Sequence, residues 1–150
     1  MAAAIRRKLP SSASFHVFDV YKPSAERFSS EFGSVGPVHI ETSPRDVASK
    51  AHVVVSMVPG PREVESIYLD PKTGIVAALG NENRVLLECS TIDTETARKV
   101  SQLVREAGQG IYADAPVSVR TDRPPSAVCM LIQRFPRGAF LQLKNPRCLS

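Results

Sequence analysis

Between Phe15 and Ala113, short apolar runs of strand length alternate with stretches whose apolar residues recur at helical spacing. That alternation narrows the folds open to this chain more than any other feature. Phe15 to Val20 suits a strand. Pro23 suits the first turn of a helix on which Ala25, Phe28 and Phe32 fall near one face, and Gly33 can end it. Val38 to Glu41 reads as another short strand and Pro44 to Ala51 as a short helix. His52 to Val58 is almost continuously apolar, as a strand covered on both faces should be. Arg62 to Leu69 and Gly74 to Leu79 read as helical segments parted by the Asp70-Pro71-Lys72 turn, and Arg84 to Glu88 as a second buried strand. The longest helix is the clearest. Asp93 caps it, Glu95 lies in its first turn, Ala97, Val100, Leu103, Val104 and Ala107 make its apolar stripe, Arg105 sits near its negative end, and Gly108 lies just past it. Ile111 to Ala113 closes the series. Such repeated alternation implies an α/β fold, a mainly parallel sheet with helices on its faces.

The 150 residues hold one domain with room for a tail. The longest apolar run, from Val53 to Val58, is far shorter than the roughly 18 residues a membrane span needs. Cys89, Cys129 and Cys148 are too scattered for a disulfide framework or a zinc set, so a reducing compartment is expected. The net charge of +4 suggests nucleic acid until its distribution is considered. Residues 1–118 carry a balance of −1, whereas residues 119–150 carry +5 together with four of the twelve prolines. The composition therefore breaks after Ser118, into an organised body and a basic, proline-containing tail expected to be poorly ordered. That tail offers weak, salt-sensitive attraction to polyanions. Phe135 and Phe140 are its only aromatics, and no nucleic-acid-binding motif accompanies them, so no specific nucleic-acid partner is expected.

In α/β folds ligands gather at the carboxyl ends of the strands. Asp19 closes the first strand, where an acidic side chain can accept hydrogen bonds from ribose hydroxyls or cap the next helix. Met57-Val58-Pro59-Gly60-Pro61 follows the next buried strand and can line a ligand or serve as a plain turn. Ser90-Thr91-Ile92-Asp93 follows the one after; Asp93 suits capping, and Thr91 is open to either role. His39-Ile40-Glu41 has the spacing of a zinc deaminase motif without its paired cysteines. His16 and His52 flank strands with no evident partner.

Four segments, in this order and spacing, resemble the β-hydroxyacid dehydrogenases. They are Phe18-Asp19-Val20, Val53-Val54-Val55-Ser56-Met57-Val58-Pro59, Glu88-Cys89-Ser90-Thr91-Ile92-Asp93 and Asp114-Ala115-Pro116-Val117-Ser118. The resemblance extends over roughly residues 1–118 and is nearest to the 3-hydroxyisobutyrate dehydrogenase branch, with the cofactor domain of 6-phosphogluconate dehydrogenase more distant. The resemblance implies a Rossmann-like, doubly wound, mainly parallel sheet binding NAD, with NADP as an alternative. It implies hydride transfer between that cofactor and a small β-hydroxy acid substrate. Asp19 would hold the ribose, Met57, Val58 and Pro59 would line the cofactor, Thr91 would lie near the nicotinamide, and Ser118 would begin the substrate-carboxylate loop. It further implies a mitochondrial location in a eukaryote and a cytoplasmic one otherwise, no membrane association, and leaves a homo-oligomer open.

Three departures from that family's pattern shape the expectations. The first glycine is Gly33, so the family's glycine-rich phosphate loop is missing, and with it the first strand. Met1 to Leu9 then reads as the end of the helix that follows that loop, although Met1 to Phe15, acid-free and containing Arg, Ser and Ala, also fits a mitochondrial transit peptide. Ser118 is followed by Val119-Arg120 in place of two glycines. The family's catalytic lysine belongs to a later helix, and Lys144-Asn145, directly before Pro146, comes too early to supply it. A dehydrogenase fragment with weak cofactor binding and no turnover of its own is therefore expected, with no catalytic residue assigned and no metal. The alternative is a non-catalytic truncated product or an interaction module using the basic tail. Loss of the first strand would leave two sheet edges facing a gap, and Ala127 to Ile132 is the tail's one apolar run of strand length. A single strand within 126–133 is expected there, either repairing the gap or extending the far side of the sheet.

Overall fold

The computed structural model describes residues 1–116 and 130–134. Helix α1 (Ala2–Lys8) leads into β1 (Ser14–Phe18), α2 (Lys22–Phe32), β2 (Val38–Ile40), α3 (Pro44–Lys50) and β3 (Val53–Ser56). Then come α4 (Pro61–Leu69), a single 3-10 turn (Ile75–Ala77), β4 (Val85–Glu88), α5 (Thr94–Glu106), β5 (Ile111–Asp114) and β6 (Met130–Arg134). One six-stranded sheet results, in the order β2-β1-β6-β3-β4-β5. The pairs β1–β2, β3–β4 and β4–β5 are parallel, and β6 alone runs antiparallel to both its neighbours.

The tail strand thus fills the gap between β1 and β3. It does not extend the far side, where β5 is the edge. In register, Ile132 stands opposite His16 on one side and Val54 on the other. Its described residues, Met130–Arg134, overlap the end of the expected span, and residues 126–129 lie outside the described residues, as does Ser118.

Local chemistry accounts for most element boundaries. Ser43 accepts the Asp46 N–H and caps α3, while Asp93 accepts the Thr96 N–H at 2.8 Å and caps α5. Prolines occupy the first turns of α2, α3 and α4. Beyond the last turn of α5, Gly108 takes φ +63°, the left-handed geometry that ends a helix. Two helical expectations needed correction. Gly74 to Leu79 forms only the 3-10 turn at Ile75–Ala77 rather than a longer helix, because Gly74 is pinned by its N–H to Asp70 and Ala78 is already extended. On α5, Leu103 is 36% exposed and Ala107 is exposed too, so Ala97, Val100 and Val104, with Thr96, carry the buried stripe.

Alternation along the strands sends side chains to two cores on opposite faces of the sheet. Val54 and Leu86 join Val47, Val64, Ile67, Tyr68, Val100 and Val104 beneath α3, α4 and α5. Phe15, Val17 and Val55 join Ala25, Phe28 and Phe32 beneath α1 and α2. Helix α1 is tied to this second core by buried Arg6. Its guanidinium donates to the carbonyls of Ala13 (2.7 Å), Pro10 (3.0 Å) and Val35 (3.1 Å) and lies 4.9 Å over the Phe15 ring. A guanidinium is worth burying there because its fork of donors serves three carbonyls at once, of which Pro10 also accepts the Ala13 N–H. No helix among the described residues is long and apolar enough to cross a membrane.

Candidate functional site

Parallel strands β1, β3, β4 and β5 all point the same way, so the loops after Phe18, Ser56, Glu88 and Asp114 meet along one edge of the sheet. Asp19, Met57-Val58-Pro59 and Ser90-Thr91 are therefore brought to a common edge. Pro59 and Thr91 are exposed there, and Met57 is half-buried. Val58 is 7% exposed and packs its side chain into the core beneath α4, and its N–H is taken by Ser90, so only its backbone carbonyl is left for a ligand.

Asp19 is buried, at 9% exposure. Its Oδ1 accepts the Tyr21 N–H at 2.8 Å, which organises the entry to α2. Burial raises its pKa against the pull of that hydrogen bond. A carboxylate has about four acceptor positions, so one donor from its own loop leaves capacity for ribose hydroxyls. Capping and ligand binding are compatible here. Next to it, Val20 (74% exposed) and Tyr21 (64% exposed) form an apolar rim that the fold does not use.

A buried polar chain lies under this edge. Glu88 is fully buried at the end of β4. Its Oε1 accepts the Ser90 N–H at 2.7 Å, and its Oε2 accepts the Ser56 hydroxyl. With that proton given to Glu88, the Tyr68 hydroxyl, 2.8 Å from Ser56 Oγ, donates to it. Ser90 Oγ in turn accepts the Val58 N–H at 2.7 Å. One carboxyl group thereby fixes the loop after β4 and, through Ser90, the loop after β3. Tyr112 stands edge-on to Tyr68 at 5.4 Å, its hydroxyl buried and without a partner among the described residues. Sequence reasoning missed Ser56, Tyr68, Glu88 and Ser90 as a unit. A glutamate, a serine and a tyrosine within otherwise apolar runs were the available signal, since a buried polar group must find partners.

Burial pushes the Glu88 carboxyl above its ordinary value near 4.5, and the hydrogen bonds from Ser56 and Ser90 only partly offset this. A raised folded-state pKa means the native protein holds that proton more tightly than the unfolded chain does. Its contribution to stability is therefore greatest at low pH and falls as pH rises from the ordinary value through the raised one. Glu88→Gln keeps an acceptor for Ser90 and removes the charge. Chemical denaturation at a series of pH values should show the variant gaining stability relative to the native sequence across that window. A difference independent of pH would show that Glu88 does not carry this linkage.

Some histidine expectations changed. His16 has a partner after all: its Nδ1 lies 2.8 Å from Glu41 Oε1, and its ring stacks on His39. Both come from β2 and its end, which parallel pairing places beside β1 and which spacing along the chain could not reveal. No group of three or more potential metal ligands occurs among the described residues.

Residues 2–122 match the family described as the NAD binding domain of 6-phosphogluconate dehydrogenase. The chain is 43% identical over 76 residues to the NAD-dependent L-serine dehydrogenase of Pseudomonas aeruginosa, covering 51% of this chain and 24% of that one. It is 44% identical over 68 residues to the 3-hydroxyisobutyrate dehydrogenase of the same organism, covering 45% and 22%. Among solved structures it resembles Mycobacterium tuberculosis 3-hydroxyisobutyrate dehydrogenase in the presence of L-serine. That match has a TM-score of 0.53 and 27% identity, and covers 68% of this chain and 31% of that one. The chain thus spans about a quarter of the length of these two curated relatives.

Proposed function

Since the chain belongs to the family of the 6-phosphogluconate dehydrogenase NAD binding domain, we propose that its carboxyl-edge loops form part of a cradle for NAD in an oxidoreductase acting on a short β-hydroxy acid. The observation that carries this reading is the convergence of Asp19, Pro59 and Thr91 on one sheet edge, over a buried network that holds two of their loops in place. The names of the relatives, an L-serine dehydrogenase and a 3-hydroxyisobutyrate dehydrogenase, point to a small hydroxy acid as substrate.

The residues present fit the two ends of a dinucleotide. Asp19 would accept from the adenosine ribose with its spare lone pairs. The backbone of Met57 and Val58 and the ring of Pro59 would line the middle, and Thr91 would face the nicotinamide end. Bound NAD supplies the hydride acceptor. The chain's own residues bind and orient it, and the buried Glu88 faces inward on Ser56 and Ser90 and serves to hold their loops. Gly60 is the one glycine at this edge among the described residues, so the close backbone approach that a pyrophosphate requires is not provided there. Each missing hydrogen bond to a charged oxygen is worth about 1.5–3 kcal/mol, so weak binding follows. Ser118, outside the described residues, would open the substrate loop, and turnover by this chain alone is not expected.

Saturation-transfer NMR with NADH and NADPH tests the reading. Weak, saturable binding that favours NADH, and loses that preference in Asp19→Ala, is the expected result. The carboxylate repels the extra phosphate of NADPH, and about 1.4 kcal/mol of repulsion is a tenfold preference. Affinity unchanged in both Asp19→Ala and Thr91→Val would show that the cradle lies elsewhere.

A further inference from the structure

At the opposite, amino edge of the sheet lies a hollow of about 540 Å³ whose walls include all three histidines of the chain, His16, His39 and His52, together with Lys50 and Asn81. Its place follows from the topology: Ser14 opens β1, His52 directly precedes β3, and Asn81 precedes β4. Its size falls in the range of about 300–1,000 Å³ typical of small-molecule sites, larger than a bare inorganic ion needs.

The donor set is one-sided. No carboxylate occurs among the described residues that line the hollow. Glu41, which contacts two of the lining residues, has its side chain 8% exposed and both oxygens engaged. Oε1 meets His16 Nδ1 at 2.8 Å, and Oε2 accepts from Lys50 Nζ at 2.6 Å. Glu41 thus orients an imidazole and an ammonium without offering a cation a free oxygen. Lys50 keeps further N–H donors, and Asn81 and His52 add an amide and a ring N–H. His16 and His39 stack at 4.9 Å and 19° across the β1–β2 register pair, giving a flat surface beside those donors. Neither the fold nor the dinucleotide cradle requires this. The carbonyls of Ala51 and Leu79 at this edge are already satisfied by buried Arg84, and His39, Lys50 and His52 are exposed.

We propose that this hollow binds a small organic anion, its phosphate or carboxylate oxygens taken by Lys50, His52 and Asn81 and its body resting on the stacked His16 and His39 rings. Because every histidine of the chain lines the hollow, the ring C–H signals of histidine in a proton–carbon NMR spectrum report on it without background. Inorganic phosphate and succinate, titrated separately at constant pH and ionic strength, distinguish the two anion chemistries. The expected result is a saturable shift of the histidine signals with at least one probe. Affinity should fall roughly fivefold or more in Lys50→Gln or His52→Gln and stay unchanged in Lys99→Gln, which lies elsewhere, paired with Glu65. His52 makes no side-chain hydrogen bond among the described residues, so its variant should unfold at the native temperature even if Lys50→Gln disturbs Glu41. No saturable shift with either probe at tens of millimolar, or affinity unaffected in both hollow variants, overturns the proposal.

Discussion

Ile132→Pro should destabilise this protein more than any other single substitution in the tail. Residue 132 sits at the middle of β6, opposite His16 in β1 and Val54 in β3. Proline there deletes a ladder donor and forces its ring into a strand with neighbours on both sides, a position proline does not occupy in native sheets. The cost should be on the order of 3–5 kcal/mol, against a total stability of about 5–15 kcal/mol for a typical domain. It should appear as a fall of roughly 10 °C or more in the thermal midpoint, accompanied by light scattering as β1 and β3 become open edges. In the native sequence, the β6 amides should exchange slowly with solvent. A midpoint unchanged in the variant, with rapid exchange from Met130 to Arg134, would show that β6 does not bridge the two halves of the sheet.

Gly110→Ala is the second large effect, and Gly108→Ala is its internal control. Both glycines have positive φ, +105° at Gly110 and +63° at Gly108. Around Gly108 a methyl group would meet nothing within 4 Å, so its cost is that of left-handed geometry alone, about 1–2 kcal/mol. At Gly110 the methyl would collide with the carbonyl of Arg84. That carbonyl cannot retreat easily: it accepts the Ile111 N–H at 2.8 Å, and the Arg84 side chain is buried and held by Gln109 and the Ala51 carbonyl. Backbone strain and displacement together should exceed about 3 kcal/mol. Urea denaturation of the two variants side by side separates strain from collision, and equal losses would mean that the β4–β5 junction is looser than its geometry implies.

Much of this architecture was legible in the order of residues. Helix starts at Ser43 and Asp93, prolines in first turns and the helix stop at Gly108 act within a few residues of themselves, so neighbours along the chain suffice to specify them. The alternation of Phe15 to Val17 and Val53 to Val55 with helical stretches specified a mainly parallel sheet, and the quoted segments around Asp19, Val58 and Thr91 marked its carboxyl edge as the place for a ligand. The apolar tail run was readable as a strand because nothing else in the tail has strand length and composition.

What the chain order alone left open were the relations that only parallel pairing and crossover connections create. Leu103 sits in the apolar rhythm of α5 yet is exposed, because the stripe that packs is set by where α4 and β5 lie. Glu41 reaches His16 from 25 residues away, and Glu88 reaches Ser56 from 32. These buried polar groups need partners of complementary chemistry, but which partners they find depends on strand order and register. Whether the tail strand entered the gap or joined the far edge was likewise a tertiary choice: β1 and β3 each offered an unpaired row of N–H and C=O groups, and a strand placed between them satisfies two rows where the far edge offers one.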